Sequence, residues 1–319
     1  MKSRDIGLLL LLGALWGASF MFIKVILREV APLTLVGYRI GLGALGLLAF
    51  FAVDQWRRRR AGETPVPFPW RRIIGPGLIL ALLNGIVPYI AITWGETAIS
   101  SGDAAILNAT TPLFTAIILG LLGSRAGNER MTLAKGVGLV VGFAGVALLV
   151  SGGAPQAGVS GADAWWGHGA VLLASASYAV ASLYARRAFR GLPVIYPALA
   201  QLTSAALLLL PFTLSDPPQH PLSPATIGSL LVLGLGGTGL AYLIYFQLLA
   251  RVGATRTVIV TYLLPCTALF YGALLLNEPV GVTALGGLVL VLLGIAITGG
   301  VFGQLQARRA AKAQQVEAS

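Results

Sequence analysis

Ten runs of about twenty apolar residues, each with at most two charged residues, constrain this chain more than any other feature. They cover residues 6–26, 34–53, 73–94, 102–122, 133–151, 168–188, 194–214, 224–246, 255–276 and 281–302. At 1.5 Å of rise per residue, a helix of each length crosses most or all of a hydrocarbon core about 30 Å thick. Only 10% of the 319 residues are charged, against roughly 25% in a soluble domain. A soluble fold of this length could not cover its surface with so few charges. The expected fold class is therefore an all-α integral membrane protein with ten transmembrane helices. The first run follows Lys2 and Arg4 as a secretory leader would. It continues through Trp16 and Phe22 with no A-x-A cleavage site, so it is expected to stay as a helix.

The charges that do occur are sorted. With the N-terminus placed inside, the loops and helix ends on that side hold 19 of the 22 Lys and Arg residues, among them Arg57–Arg60, Arg71, Arg72, Arg186, Arg187 and Arg190. The other side receives Lys24 and Arg28, and Arg39 lies within the second run. This is the asymmetry that orients membrane proteins, and it predicts both termini in the cytoplasm of a bacterial cell, with the chain in the inner membrane. The net charge of +11 is accounted for by this bias, so no nucleic-acid partner is expected. Residues 152–167 contain no Lys or Arg and are rich in Gly and Ala, as expected of an outer linker between two halves.

The halves resemble each other. A shift of 162 residues places Trp16 on Tyr178, Lys24 on Arg186 and Arg39 on Gln201. A shift of 153 places Tyr89 on Tyr242, Asp103 on Arg256, Asn108 on Thr261 and Pro112 on Pro265. A shift of 149 aligns Asn128-Glu129-Arg130 with Asn277-Glu278-Pro279, and Gly138 and Gly145 with Gly287 and Gly294. The expected domains are a first repeat over 1–151, the linker 152–167, a second repeat over 168–302 and a tail over 303–319. Five spans per repeat force the second to enter the membrane from the opposite side. Such inverted repeats recur in secondary transporters, with the solute site near the midplane between the halves.

Leu15-Trp16-Gly17 followed by Phe20 and Lys24, Pro32 ahead of Arg39, the two midhelix prolines and the paired Asn-Glu-Arg/Pro ends resemble the EamA-type branch of the drug/metabolite transporter superfamily. The resemblance covers residues 5–302. It implies a five-plus-five inverted-repeat carrier with both termini cytoplasmic, often an exporter of amino acids or other small metabolites. It describes the scaffold and leaves the solute open.

Several side chains are candidates to line a solute pathway. Trp16, Phe20 and Lys24 follow one another at i, i+4 and i+8, which puts them on roughly one helix face. Arg39 needs a partner inside the membrane, with Glu96 and Asp103 at the same expected level, or a substrate carboxylate. Asn84, Tyr89, Trp94, Tyr178, Tyr242, Tyr245 and Gln247 complete a lining rich in aromatic and amide groups, suited to a zwitterionic or aromatic solute. Pro112 and Pro265 each remove the amide that would serve the carbonyl four residues earlier, so the freed carbonyls of Asn108 and Thr261 are expected to contact solute at two helix bends. The glycine stripes of runs five and ten predict close-packed scaffold helices or a dimer contact, with a monomer or homodimer overall.

What the sequence lacks also bears on function. One cysteine and two histidines make a metal centre or a membrane-enzyme site unexpected, no P-loop is present, and no cofactor is expected. No acidic residue falls in the middle third of a run, which predicts facilitative transport rather than carboxylate-driven proton antiport. The expected function is a secondary carrier working by alternating access. A channel or passive scaffold is the alternative, followed by an enzyme acting on lipid.

Overall fold

The computed structural model describes residues 2–64, 69–122, 132–152, 159–193, 195–257 and 259–299. The Asn128-Glu129-Arg130 motif, residues 153–158 of the expected linker and the 303–319 tail lie outside them. The helices are α1 (Ser3–Ile26), α2 (Pro32–Arg60), α3 (Trp70–Ala81), α4 (Val87–Gly95), α5 (Ser101–Asn108), α6 (Thr111–Leu122), α7 (Leu133–Gly152), α8 (Gly161–Ala188), α9 (Ile195–Ser215), α10 (Pro224–Leu231), α11 (Ala241–Val252), α12 (Ala254–Thr257), α13 (Val260–Leu276) and α14 (Val282–Thr298). No strand occurs among the described residues. Eight helical stretches are long and apolar enough to cross a membrane, and α13 and α14 are shorter apolar helices.

The helix ends follow local chemistry. Ser100, Ser160 and Ser223 each accept a hydrogen bond from the backbone N–H three residues on, capping α5, α8 and α10. Pro32 and Pro224 occupy the first turn of α2 and α10, where the missing N–H costs nothing. Arg57–Arg60 and Arg186–Arg187 fill the last turns of α2 and α8, where the helix dipole favours positive charge. Asn277 ends α13 at φ 55°, a left-handed position that Asn tolerates.

Three boundaries differ from the sequence expectation. First, α8 begins seven residues before run six, inside the expected linker, because Ser160 and Asp163 form a reciprocal cap with the Ser160 hydroxyl 2.7 Å from the Asp163 carboxylate. Second, runs three and eight are each interrupted by a wider π-helical segment, Leu82–Ile86 between α3 and α4 and Val232–Leu240 between α10 and α11. Third, run four is two helices. Thr110 and Thr111 turn their hydroxyls back onto the carbonyls of Leu107 and Asn108 at 2.6 and 2.9 Å, which breaks the segment between α5 and α6. Pro112 therefore sits in the first turn of α6, whereas Pro265 lies inside α13.

Helix packing places the core. α1 lies on α13, α5 and α6 on α8, α2 on both α9 and the Val232–Leu240 segment, α3 on α9, and α4 on α8. The largest apolar cluster runs through α1, α5, α8, α13 and α14 and includes Ile23, Ile106, Leu107, Val171 and Leu288. A second joins α2 to α9 through Ile40, Leu47, Leu199 and Leu202. α7 and α14 meet on their glycines. A Cβ on Gly145 would lie 2.8 Å from the Gly287 carbonyl, and one on Gly138 2.8 Å from the Gly294 carbonyl. These stripes therefore serve the contact between the two helices themselves.

Candidate functional site

Polar side chains from five membrane-embedded stretches meet beside the α2–α9 cluster. The Asn84 amide donates to the Gln201 side-chain oxygen at 2.8 Å and reaches the Tyr242 hydroxyl at 3.3 Å. Gln201 in turn donates to the Tyr242 hydroxyl at 2.8 Å, which closes a triangle among the Leu82–Ile86 segment, α9 and α11. The Tyr89 and Tyr242 hydroxyls also interact, and Tyr178 packs against both core clusters.

Arg39 is the cation of this group. Its guanidinium lies over the Tyr89 ring at 4.1 Å from the centroid, and Nε donates to the Thr238 hydroxyl at 3.2 Å. The side chain is 7% exposed, and among the described residues no hydrogen bond reaches its two terminal nitrogens. The expected pairing of Arg39 with Glu96 or Asp103 is thus corrected: the ring face and a hydroxyl hold the guanidinium instead, and no ion pair forms with either acid. One edge of the fork remains free to accept a bidentate partner.

The π-helical segments position this cluster. Widening a helical turn displaces carbonyls that need new donors. Ser177 of α8 donates to the Leu83 carbonyl at 2.7 Å, and Thr238 donates to the Leu233 carbonyl at 3.1 Å, five residues earlier. Thr238 therefore stabilises the second π segment and holds Arg39 with the same hydroxyl. Sequence reasoning left Gln201, Thr238 and Ser177 out of the candidate lining. Gln201 was legible as the residue on which the 162-residue shift places Arg39; the two hydroxyls sit in Gly- and Ala-rich runs and carried no signal.

The other predicted residues lie elsewhere. Trp16 stacks at an angle on Tyr245, with ring centroids 5.7 Å apart, beside an apolar cluster of α1, α11 and α13. Gln247 is exposed. Phe20 is buried in the main core. Trp94 is 53% exposed and lines a surface cleft of about 250 Å³ with Thr97, Asp163 and Trp166, apart from the central cluster. Asn108 has its main-chain carbonyl satisfied by Thr111, which corrects the expectation of a carbonyl freed by Pro112. Its side-chain oxygen is buried without a partner among the described residues. Thr261 lies four residues before Pro265 in α13.

Polar contacts clasp both ends of the bundle. At the expected inner end Arg251 Nε meets the Asp5 carboxylate at 2.8 Å. At the other end the Lys24 ammonium donates to the main-chain carbonyl of Glu96, and the Glu278 carboxylate accepts from the Ser101 backbone N–H and from its hydroxyl at 2.6 Å. Glu96 is fully buried, and neither carboxylate oxygen has a hydrogen-bond partner among the described residues. Burial pushes this carboxyl well above the usual range, and the Lys24 charge opposes that without cancelling it. The exposed Glu29 is shifted the other way, because the Ser223 hydroxyl and N–H both donate to its carboxylate.

The model of the EamA-like transporter family matches residues 5–151 and 165–300. The chain belongs to this family. Among its relatives is the "Probable amino-acid metabolite efflux pump" of Salmonella typhimurium, 29% identical, with 98% of this chain and 99% of the relative covered. The "Uncharacterized transporter YoaV" of Bacillus subtilis is 26% identical over 88% of this chain and 91% of its own length. The "Uncharacterized inner membrane transporter YedA" of Escherichia coli K12 is 28% identical over 83% and 81%. A solved crystal structure superposes with a TM-score of 0.60 at 17% identity, over 94% of this chain and 99% of that one, a likeness of fold alone. The EamA chain described here is a multi-pass integral membrane protein of a transporter family.

Proposed function

We infer that this EamA protein is a secondary carrier that moves a small solute bearing a carboxylate, an amino acid or a close derivative, by alternating access. The observation that carries this reading is the free edge of the Arg39 guanidinium, held over Tyr89 among Asn84, Gln201 and Tyr242. A guanidinium oriented by an aromatic face and one hydroxyl is set to take a carboxylate in two parallel hydrogen bonds. The neighbouring amides and phenols offer acceptors to an ammonium group and donors to further polar groups. The name of the Salmonella relative agrees with an amino-acid solute.

An inverted-repeat mechanism is supported by the helix pairings. Exchanging the two halves carries the α1–α13 contact onto α8 with α5 and α6, and α2 with the second π segment onto α9 with α3. It returns the α2–α9 and α7–α14 contacts to themselves. The 153-residue shift carries Leu82–Ile86 onto 235–239, within the second π segment. The family match falls in two successive stretches of similar length. In this reading, opening toward one side separates Arg251 from Asp5, and opening toward the other separates Lys24 from Glu96 and Ser101 from Glu278. The central cluster meets each side in turn.

Thermal unfolding of the purified protein with a panel of amino acids tests the solute class. A bound solute stabilises by RT ln(1 + [L]/Kd), about 2.7 kcal/mol at a hundredfold excess over Kd. At least one amino acid is expected to raise Tm, its decarboxylated amine is not, and Arg39→Gln is expected to abolish the shift. Equal shifts from amine and amino acid would sink the carboxylate reading.

A further inference from the structure

The outer end of the bundle buries an acid that the solute site does not use. Glu96 lies between α4 and α5 at 0% exposure, with both carboxylate oxygens buried and unpartnered. Charge reaches it from Lys24 of α1, Arg39 of α2 and Glu278 in the turn after α13; Asp103 of α5 faces the same Lys24 and Glu278, and His168 of α8 faces Asp103. None of them solvates the carboxyl. The Lys24 ammonium is spent on the main-chain carbonyl of the same residue, and the Arg39 guanidinium, over the Tyr89 ring, makes no hydrogen bond to either Glu96 oxygen. Glu278 is an acceptor already held by Ser101. His168 donates from Nδ1 to the Ala164 carbonyl at 2.6 Å, which leaves its buried Nε2 an acceptor in the neutral ring.

An ionised carboxylate taken out of water without a donor costs several kcal/mol, far more than the unmet hydrogen bond of the neutral acid. The Glu278 carboxylate nearby adds to that cost. The same carboxyl in water would ionise readily.

We propose that Glu96 is a proton-binding site, occupied while the outer ends of α1, α4, α5 and α13 are packed together and emptied into the outer water when they part. On opening, the O–H bond breaks, its electron pair stays on the carboxylate and the proton passes to water; on closure the reverse occurs. Each outward opening thus releases one proton, which links solute movement to the proton gradient without an acid at the midplane. The occupied state stands on the geometry of Glu96 alone, and the release step rests on the alternating-access reading above.

Infrared spectroscopy of the reconstituted protein tests occupancy. The carbonyl band of an un-ionised carboxylic acid is expected at pH 7, absent from Glu96→Gln and retained in Glu278→Gln. A wild-type spectrum without that band, or one unchanged by Glu96→Gln, overturns the site. Should Glu96→Gln fail to fold, loss of the band from wild-type protein and from Glu278→Gln as pH is raised decides the same point. Hydrogen exchange over residues 97–108 tests release. The ratio of wild-type to Glu96→Gln exchange is expected to rise with pH by up to about tenfold per unit, the limit for one linked proton. A flat ratio beside a clear infrared band would overturn the coupling to opening and leave the carrier reading standing.

Discussion

Replacing Tyr242 by Phe removes one oxygen from the centre of the candidate site and should separate binding from stability. That hydroxyl accepts from Gln201 at 2.8 Å and from Asn84 at 3.3 Å. The second distance lies beyond the usual range for N–H···O, so most of the energy resides in the first. Interhelical hydrogen bonds in membranes average about 0.6 kcal/mol and reach about 1.7. The Gln201 amide, left facing a ring edge, sets the cost near the upper value, at about 1–2 kcal/mol. The melting temperature should fall by at most roughly 8 °C, because the shift is about 2–4 °C per kcal/mol for 150–250 residues and smaller for a longer chain. A solute hydrogen-bonded to the same cluster should lose about tenfold in affinity, since 1.4 kcal/mol corresponds to a factor of ten. Thermal unfolding and amino-acid titration of wild-type and Tyr242→Phe protein measure both. Unaltered solute affinity beside the expected fall in Tm would refute the assignment, because the triangle would then be structural only.

Three further outcomes follow from particular contacts. Gly145→Ala should cost about 1–3 kcal/mol, since its methyl would lie 2.8 Å from backbone atoms of α14, whereas Gly136→Ala, with nothing within 4 Å, should be neutral or mildly stabilising; thermal unfolding compares them directly. A reporter active only in the cytoplasm should work when fused after Val316, and one inserted near Gly158 should be active only outside; a reversed pattern at either place would contradict the inverted topology. Asn108→Ala should weaken solute affinity with little change in Tm, because its buried side-chain oxygen has no partner to lose among the described residues; normal binding by this variant would remove the α5–α6 break from the solute path.

Much of the architecture was legible in the sequence because the membrane leaves so little choice. A run of twenty apolar residues has one way to satisfy its backbone there, so the spans could be drawn from hydropathy alone. The glycines at 138, 145, 287 and 294 mark two close-packed helices for the same kind of reason, since close approach needs absent side chains; that the two pack on each other, and not on a second copy, is visible only in the structure. The internal irregularities were not legible. Val232–Leu240 holds four glycines in nine residues and Leu82–Ile86 one in five, which weakens a helix without saying that it widens; the π turns depend on hydroxyls supplied by Ser177, from another helix, and Thr238, from within the segment. The break between α5 and α6 was hidden behind Pro112, because the two threonines before it were read as part of a continuous helix.

At the candidate site, residue type was a good guide and partnership was not. Arg39, Asn84, Tyr89, Tyr178 and Tyr242 were singled out as polar groups in apolar runs, and they do converge. Reasoning from charge alone then paired Arg39 with the nearest acids, whereas a ring face at 4.1 Å holds it without the cost of burying a second ion. Trp94, a candidate for its ring, is exposed and shares a surface cleft with Trp166, as amphipathic indoles do at a membrane interface. Glu96, read as a border residue by its position between two runs, is among the most buried acids of the described chain.

The central claim is that one pocket serves both sides in turn, and solute counterflow in proteoliposomes tests it most directly. Vesicles loaded with an unlabelled amino acid that stabilises the purified protein should take up the labelled form transiently above its outside concentration, with saturable kinetics. Arg39→Gln vesicles should not. Uptake that only equilibrates, rises linearly with concentration and ignores the solute inside would contradict alternating access and identify a passive pore.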